Sequence, residues 1–328
     1  MSNPYFVERT LCPACKSGAT TTLYSKDYSD PKIRRYLSEF YSSQGKIELD
    51  YLEGASFTVD ECMECELVYQ REIPNAFLMT KLYDEWIDPE RAAVQFRTGE
   101  NRNVVGVADV DYYSKLALEV ARLVAYFNRL PSDLHLLDFG MGWGDWCRTA
   151  KAFGCQSYGT DFSSSRTHAL SGSEISVVSS EELGELRFDF VNTEQVFEHL
   201  AEPYEVLSGL VGSLRQHGLI MISVPDGARV KHVLRELDWM TGSKDEDSIN
   251  MISPLEHINC FSRKSLIRMA HAVGLKPITL PLGIEYRYTV FGQPGPVMVK
   301  NLLRPVVRKF RPVGTKILFA RSNDGTLA

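Results

Sequence analysis

Three glycines at alternate positions follow a short apolar stretch that ends the first predicted strand. The stretch, residues 136–139, contains Asp138, and Gly140, Gly142 and Gly144 come directly after it. Glycine is needed where a backbone bends sharply and approaches a ligand closely, because it carries no Cβ atom. The third glycine comes one residue earlier than in the dinucleotide-binding pattern G-x-G-x-x-G, and an acidic residue follows it. This spacing indicates a nucleotide-type ligand that places no phosphate on the helix N-terminus.

The pattern D-x-G-x-G-x-G after an apolar strand resembles motif I of the class I S-adenosylmethionine-dependent methyltransferases. In that family the glycine turn accommodates the methionine part of the cofactor, and a second acidic residue binds the ribose hydroxyls. Asp161 stands at the matching place, about twenty residues further on, and Phe162 follows it. The resemblance implies S-adenosylmethionine as cofactor and assigns six residues to its site: Asp138, Gly140, Gly142, Gly144, Asp161 and Phe162.

Two Cys-x-x-Cys pairs, Cys12/Cys15 and Cys62/Cys65, stand in the N-terminal quarter of the chain. Each pair offers two thiolates on one turn, and two facing turns complete a tetrahedral four-cysteine site for Zn²⁺. A redox Cys-x-x-Cys would need one pair and a βαβ setting, which the surrounding pattern does not provide. Because four thiolates leave no open position for water or substrate, we expect a structural ion.

The two cysteine pairs are separated by 46 residues, well above the spacing of about 15–20 in a compact zinc ribbon. We interpret the excess, about residues 26–50, as an insertion that contains a helix around residues 33–37. A module with so little remaining sequence is expected to lack a hydrophobic core. Zinc binding, about 10–16 kcal/mol, would then supply most of its folding free energy.

The N-terminal residues also resemble a zinc module found on some class I methyltransferases. The shared features are the two cysteine pairs, Leu-Val-Tyr at 67–69, Pro74, and Leu-Tyr-Asp at 82–84. The best-known carriers are the sugar C-methyltransferases of deoxysugar and natural-product pathways, which implies a sugar as methyl acceptor. Those enzymes usually have an additional C-terminal domain, whereas this chain ends shortly after the expected final hairpin. Methylation at carbon and at oxygen therefore both stay open.

Strands and helices alternate from residue 134 onward, which is typical of a parallel sheet with helices on both faces. The predicted strands are 134–139, 157–160, 175–178, 188–192 and 219–224, with helices at 145–153 and 204–216. An amphipathic helix precedes them, with apolar residues at three- and four-residue spacing: Ala117, Val120, Ala121, Val124 and Phe127. We predict an α/β, Rossmann-like doubly wound methyltransferase sheet with a small N-terminal zinc-binding module.

The same pattern divides the chain into three predicted parts. Residues 1–75 form the zinc-binding module with its insertion, 76–133 a helical linker on the substrate side, and 134–328 the S-adenosylmethionine-binding methyltransferase domain. Within the last part, the polar and charged segment 227–258 is interpreted as a cover over the active site. Loops of this length are usually functional or disordered.

Candidate proton acceptors follow the fourth predicted strand, whose carboxyl end borders the ligand crevice in this fold. Phe-Glu-His-Leu at 197–200 with Pro203 resembles the EHL…P pattern of many small-molecule methyltransferases, and a matching Glu-His pair has this kind of role in the sugar C-methyltransferases. We predict His199 as general base, since an unperturbed imidazole titrates near pH 6.5, and Glu198 as a second catalytic candidate. The alternative is that the pair only packs or caps a helix.

Four further residues complete the predicted site. His257 is the third catalytic candidate, and it either lines the pocket or forms a hydrogen bond within the cover. Glu181 and Glu182 follow the third predicted strand and are placed to accept a hydrogen bond from the adenine amino group. A solvated acidic turn explains either of them equally well. Glu194, beside the fourth strand, is the last residue assigned to the cofactor site.

The composition is that of an ordinary globular protein, with 328 residues, 44% hydrophobic and 24% charged. A net charge of −6 argues against a general nucleic-acid binder, so nucleic acid is not an expected partner. The N-terminus lacks the charged-then-apolar pattern of a signal peptide, and no apolar run approaches about 18 residues. We therefore expect a cytoplasmic protein without a transmembrane segment.

Residues 287–321 contain eight Lys or Arg and no acidic residue. On an acidic protein this asymmetry indicates an anionic partner, such as a phosphorylated substrate, a nucleic-acid strand or an anionic membrane face. The alternative is a solvated basic helix at 297–310.

The sequence as a whole predicts methyl transfer from S-adenosylmethionine to a small acceptor, a sugar or nucleotide-linked sugar. Three other functions stay open: O- or N-methylation of another small molecule, RNA methylation, and a non-catalytic binding scaffold. RNA methylation would favour an Asn/Asp-Pro-Pro-Tyr motif after the fourth strand, where this chain has Asn-Thr-Glu-Gln at 192–195. The glycine turn and Asp161 argue against a scaffold.

Overall fold

The structure of the protein is a computed structural model that describes residues 3–42, 45–87, 107–170, 172, 174–236, 249–288, 296–310 and 312–322. The strands are β1 (Phe6–Glu8), β2 (Thr20–Asp27), β3 (Ser56–Cys62), β4 (Val68–Gln70), β5 (Glu72–Pro74), β6 (His135–Phe139), β7 (Gln156–Thr160), β8 (Ser176–Val177), β9 (Phe188–Glu194), β10 (Leu214–Ser223), β11 (Asn259–Cys260), β12 (Leu275–Ile278) and β13 (Lys316–Arg321). The α-helices are α1 (Pro31–Ser42), α2 (Ala76–Lys81), α3 (Val107–Phe127), α4 (Asp145–Ala152), α5 (Ser164–Leu170), α6 (Ser180–Glu185), α7 (Pro203–Ser213), α8 (Val230–Arg235), α9 (Arg263–Ala272), α10 (Leu282–Arg287) and α11 (Pro296–Phe310).

The largest sheet has seven strands in the order β12-β13-β10-β9-β6-β7-β8. Its strands pair in parallel from β10 through β9, β6 and β7 to β8, whereas β13 is antiparallel to both of its neighbours. The strand order reverses between β6 and β9, and ligands of open α/β sheets bind at the carboxyl ends beside such a point. The predicted α/β methyltransferase fold is confirmed.

Alternate residues of the central strands pack into two separate apolar clusters, one on each face of the sheet. Leu136 and Phe190 belong to the cluster that includes α3 and α4. Leu137 and Val191 belong to the cluster that includes α7 and α9. Since successive side chains of a strand point to opposite faces, helices cover both faces, and such strands appear in sequence as continuous apolar runs.

Most strand bounds differ from the predicted ones by two residues or fewer. The exception is β10, which begins at Leu214, five residues before its predicted start, with a register shift against β9 between Leu214 and Leu219. The irregular part is the polar run 215–217, which conceals the strand in the sequence pattern. As a consequence, α7 ends at Ser213 instead of residue 216.

The N-terminal module packs around a hydrophobic core. Its antiparallel sheet has the order β11-β4-β3-β2. The predicted insertion contributes α1, whose Ile33, Leu37 and Tyr41 are fully buried in one cluster with Phe57 of β3. The expectation that the module lacks a core is therefore wrong, because the inserted residues supply it. Burial of these large side chains is a source of folding free energy besides metal binding.

The predicted cover segment contributes to this same core. α8 and the turn Ile249–Ile252 place Val230, Leu234 and Ile252 among the buried side chains of the module. β11, which directly follows the segment, pairs with β4 of the module. Residues 237–248 of the cover lie outside the described residues, and the division of the chain at 76 and 134 stays a prediction.

Helix α3 covers one face of the large sheet beside α4. Its buried residues are Leu116, Val120 and Leu123, with Val124 and Phe127 partly buried against them. This face overlaps the predicted amphipathic face, while residues 88–106 of the predicted linker lie outside the described residues. None of the helices in the described ranges has the length and hydropathy that crossing a bilayer would require.

Candidate active site

Three glycines form the turn after β6. Packing accounts for two of them and open space for a ligand accounts for the third. Gly140, Gly142 and Gly144 all have left-handed backbone conformations, with φ of +82°, +53° and +75°. A Cβ at Gly140 would lie 2.3 Å from Cγ2 of Val196, and one at Gly144 would lie 2.3 Å from Cδ1 of Ile175. A Cβ at Gly142 would meet no atom within 4 Å. The outer two glycines are therefore fixed by packing, and open space for a ligand lies beside the middle one.

Asp161, at the end of β7, holds the glycine turn in place. Its carboxylate accepts hydrogen bonds from the backbone N–H of Gly142 at 2.8 Å and of Ser163 at 2.9 Å. The guanidinium of Arg166 lies 3.6 Å from the same carboxylate. An ionised carboxylate has about four acceptor sites, so sites remain for the hydroxyls of a ribose. The link to Gly142 was not predicted from the sequence.

Asp138 and Phe162 differ in their surroundings. Asp138 is buried, and its Oδ1 accepts a hydrogen bond from the amide of Asn192 at 2.9 Å. Burial raises the pKa of this carboxyl to about 7, although the bond to Asn192 lowers it. The Phe162 ring is 67% exposed and meets Phe139 edge-on at 5.5 Å. Asp138 thus supports the turn from inside the sheet, and contact of either residue with a cofactor stays a prediction.

The three other predicted acidic residues are less engaged in the site. Glu182 forms a capping box with Ser179, whose backbone N–H donates to the Glu182 carboxylate at 2.8 Å. Glu181 is exposed beside it, and a backbone hydrogen bond lowers the pKa of its carboxyl. Glu194, the last residue of β9, lies 3.7 Å from Nζ of Lys316. Their cofactor contacts stay predictions, and the Glu182 carboxylate already has a structural use.

The chain turns sharply where β9 ends. Gln195 has a φ of +56°, a left-handed conformation that a non-glycine residue adopts at a cost of about 1–3 kcal/mol. Its backbone N–H donates to the carbonyl of Ser223 on β10 at 2.8 Å, which holds the turn. The next residue is Val196, which packs beside Gly140. The loop that carries the catalytic candidates is therefore in direct contact with the glycine turn.

The structure brings the catalytic candidates together with a tyrosine from the linker. Nδ1 of His199 lies 2.9 Å from the carbonyl oxygen of Glu256 and 3.0 Å from the hydroxyl of Tyr83. Nε2 of His199 lies 3.9 Å from Oε1 of Glu198. The rings of His199 and His257 meet with centroids 4.8 Å apart. Three segments distant in sequence thus form one polar cluster at the carboxyl edge of the sheet.

Burial controls the protonation of this cluster. It lowers the pKa of His199 to about 3, with a further contribution from the charge of His257, and it lowers the pKa of His257 as well. Glu198 is fully buried, neither of its carboxylate oxygens has a hydrogen-bond partner among the described residues, and burial raises its pKa to about 8. At neutral pH His199 is neutral and Glu198 is protonated. Burial therefore moves the pKa of His199 well below the unperturbed value near 6.5.

Several residues of the cluster were not assigned to the site from the sequence. Tyr83 is one of them, and its hydroxyl faces His199. Glu256 is held by the hydroxyl of Tyr41, which donates to its carboxylate at 2.7 Å, and burial raises the pKa of Glu256. The resemblance of Leu-Tyr-Asp at 82–84 was the available clue for Tyr83. The pairing of Tyr41 with Glu256 spans more than two hundred residues and could not be inferred from spacing.

A buried arginine connects the N-terminus to the catalytic loop. Arg9 donates to the side-chain oxygen of Asn259 at 2.8 Å and to the carbonyls of Leu200 and Ala201 at 3.2 and 3.0 Å. The amide of Asn259 donates in turn to the carbonyls of Phe197 and Leu200 at 2.9 and 2.7 Å. These bonds fix the backbone on both sides of His199.

The four cysteines of the two pairs converge beside this loop. Sγ atoms of Cys12 and Cys65 lie 3.5 Å apart, as do those of Cys15 and Cys62, and all four lie within 4.8 Å of one another. Zinc–sulfur bonds of about 2.3 Å in a tetrahedron place sulfur atoms roughly 3.8 Å apart. The donor set and its spacing therefore fit Zn²⁺. All four are free thiols.

A family model described as a methyltransferase domain matches residues 111–280, which is just over half of the chain. The chain belongs to this family and is an S-adenosylmethionine-dependent methyltransferase. This agrees with the sheet topology and the glycine turn. A search of curated proteins found no match to the chain.

Several solved methyltransferase structures are similar to the chain at low sequence identity. The plantazolicin methyltransferase BpumL, in complex with SAH, is 14% identical with a TM-score of 0.44, over 75% of this chain and 94% of that one. Magnesium protoporphyrin IX methyltransferase from Synechocystis PCC 6803, also with SAH, is 15% identical with a TM-score of 0.45, over 76% and 100%. The 1,6-didemethyltoxoflavin-N1-methyltransferase of Burkholderia thailandensis is 15% identical with a TM-score of 0.37, over 80% and 98%.

Proposed function

We propose that the protein transfers a methyl group from S-adenosylmethionine to a sugar or nucleotide-linked sugar in glycan or natural-product biosynthesis. The observation that carries this proposal is the meeting of Tyr83, His199 and His257 in one cluster. Val196, three residues before His199, packs beside Gly140, so the cluster adjoins the cofactor turn. Hydroxyl and imidazole groups in this position suit an acceptor rich in hydroxyls.

The residues around Gly142 and Asp161 fit the cofactor. Asp161 has acceptor sites left for ribose hydroxyls, the exposed ring of Phe162 follows it, and the space beside Gly142 is open. When bound, S-adenosylmethionine supplies a methyl group on a positively charged sulfur, which an acceptor atom displaces in line. The chain contributes placement of that acceptor and removal of its proton.

His199 is placed to take the proton through Nε2. The carbonyl oxygen of Glu256 can only accept a hydrogen bond, so Nδ1 of His199 carries the hydrogen and Nε2 is left with a lone pair. A histidine whose pKa burial lowers to about 3 is a weak base. We therefore expect proton transfer to accompany the methyl transfer. Acceptor atoms of either kind, carbon or oxygen, need this step.

We also propose that Cys12, Cys15, Cys62 and Cys65 hold a structural Zn²⁺ ion. The fit of the four sulfur atoms to a tetrahedron supports this. The backbone N–H of Tyr204, at the start of α7, donates to the carbonyl of Pro13 between the first two cysteines at 3.4 Å. The ion would stabilise the turn that packs against the catalytic loop and take no part in the chemical step.

The acceptor class is tested by incubating the full-length protein with S-adenosylmethionine and a panel of nucleotide sugars, with peptides, aromatic compounds and RNA as comparison acceptors. Mass spectrometry should show a nucleotide sugar that gains the mass of one methylene. A gain confined to the comparison acceptors would show that the sugar assignment is wrong while leaving the methyltransferase itself intact.

A further inference from the structure

Helix α11 exposes a continuous apolar face. Seven large apolar residues of this helix are between 36% and 73% exposed: Met298, Val299, Leu302, Leu303, Val306, Val307 and Phe310. They recur in pairs at four-residue spacing, which places them on one side of the helix. Elsewhere in the described residues, large apolar side chains are exposed singly or in pairs, as is usual for a globular protein.

Basic residues accompany this apolar face, and acidic residues are absent from the sequence of the helix. In the sequence, Lys300, Arg304 and Arg308 recur at four-residue spacing, which is the spacing of one border of a helix, and Lys309 follows. The side chains of Arg304 and Lys309 are exposed. From Arg287 to Arg321 the sequence contains no Asp or Glu. A helix with a wide apolar face and a basic border is typical of helices that lie in the plane of a membrane surface.

The position of the helix relates this face to the catalytic edge of the sheet. α11 lies between β12 and β13, and the first residue of β13, Lys316, pairs with Ser223 at the carboxyl end of β10. Nζ of Lys316 also lies 3.7 Å from the carboxylate of Glu194, at the end of β9. The helix therefore leads into the same sheet edge that carries the candidate active site.

We propose that α11 docks the protein on the surface of an anionic phospholipid membrane. The apolar face enters the boundary between headgroups and acyl chains, while the basic border contacts lipid phosphates. A second copy of this helix is a poorer occupant, because pairing the two faces would bring basic borders together without an acidic residue on either helix to neutralise them. The proposal is independent of the acceptor that the enzyme methylates.

Vesicle co-sedimentation of the full-length protein tests this directly. We expect binding to vesicles of phosphatidylcholine with phosphatidylglycerol, weaker binding to phosphatidylcholine alone, and a decrease with added salt. The double variant Leu302→Ser/Leu303→Ser should bind about tenfold more weakly or worse, since it removes two half-exposed apolar side chains. Arg304→Gln and Lys309→Gln should each weaken binding about fivefold.

A matched control removes exposed apolar side chains elsewhere. Val110→Ser/Leu130→Ser changes two residues that are 64% and 68% exposed, and it should bind vesicles like the wild type. All the substituted positions are exposed, so each variant should unfold at the temperature of the wild type. Wild-type protein that stays in the supernatant, or equal binding by the α11 double variant, would overturn the proposal. A wild-type dimer that the α11 double variant abolishes, without vesicle binding, would assign the face to a second copy instead.

Discussion

At the scale of single residues, Asp161 has two functions that one substitution removes together. Its carboxylate organises the glycine turn through Gly142, and it has acceptor sites left for the ribose of the cofactor. Asp161→Ala should weaken binding of S-adenosylhomocysteine by about 1.5–3 kcal/mol, roughly 10- to 150-fold. Glu185→Ala, which removes an exposed carboxylate of α6, is the control and should bind normally. Calorimetry that finds wild-type affinity for Asp161→Ala would place the cofactor elsewhere.

His199 is expected to act on the acceptor and not on the cofactor. His199→Ala should therefore lower kcat while the Kd of S-adenosylhomocysteine is unchanged. General-base removal typically costs about 10²–10⁴-fold, and the lowered pKa of His199 points to the lower end of this range. Steady-state kinetics with calorimetry separate the two effects. Retention of most of kcat would leave His199 as a structural residue of the loop.

The buried carboxyl of Glu198 makes the free energy of unfolding depend on pH, and its burial sets the sign of this dependence. Its pKa is raised from 4.5 to about 8, so between these values the folded state binds more protons than the unfolded state. Its contribution to the free energy of unfolding is therefore constant below about pH 4.5, falls as pH rises toward 8, and is constant again above that.

Glu198→Gln should remove this dependence. The stability of the variant relative to the wild type should rise between pH 5 and pH 8 by an amount on the order of a few kcal/mol. Urea unfolding at both pH values measures it, with Glu185→Gln, an exposed carboxyl of α6, as the control. Parallel stability curves for wild type and Glu198→Gln would show that Glu198 is ionised in the folded protein.

At the scale of elements, the sequence was sufficient for the pieces whose signal is local. In β6 the successive apolar residues Leu136 and Leu137 indicate a strand that is covered on both faces, and the glycine turn is recognisable from its spacing alone. The sequence placed Asp161 and His199 after strand ends, and the structure has them there, while their roles stay predictions. β10 was shortened in the prediction because polar residues occupy its irregular first half. β11 has two residues and pairs with a strand about 190 residues away, which no local pattern encodes.

The cysteine turns provide the test at this scale. Cys12→Ser should reduce zinc from one ion per chain and lower the melting temperature, because it breaks the site that braces the turn against α7. The module should not unfold completely, since α1 and β3 are also held in a hydrophobic core that the cover segment completes. Cys155→Ser, a buried cysteine outside the site, should keep its zinc. Elemental analysis that finds no zinc in the wild type, or full stability in Cys12→Ser, would contradict the metal site.

At the scale of the whole molecule, the candidate site depends on contacts between the N-terminal module and the methyltransferase sheet. Arg9 reaches Asn259 and the loop after β9, and Tyr41 holds Glu256 beside His199. These contacts join residues that are up to 250 positions apart. Sequence spacing carries no information about such pairs, which explains why the cofactor half of the site was predicted in more detail than the acceptor half. The N-terminal module is therefore expected to be necessary for activity and not an accessory.

The central claim, methyl transfer from a cofactor bound at the glycine turn, is tested most directly with Gly142→Val. A Cβ at this position would meet no atom within 4 Å, so the side chain of Val enters the open space beside the turn, and Gly142 has a left-handed backbone that a branched residue strains. S-adenosylmethionine with a radiolabelled methyl group is incubated with the protein and a pool of small molecules from cell extract. We expect the wild type to label a small molecule and Gly142→Val to label none. Equal labelling by both proteins, or none by zinc-loaded wild type, would contradict the account.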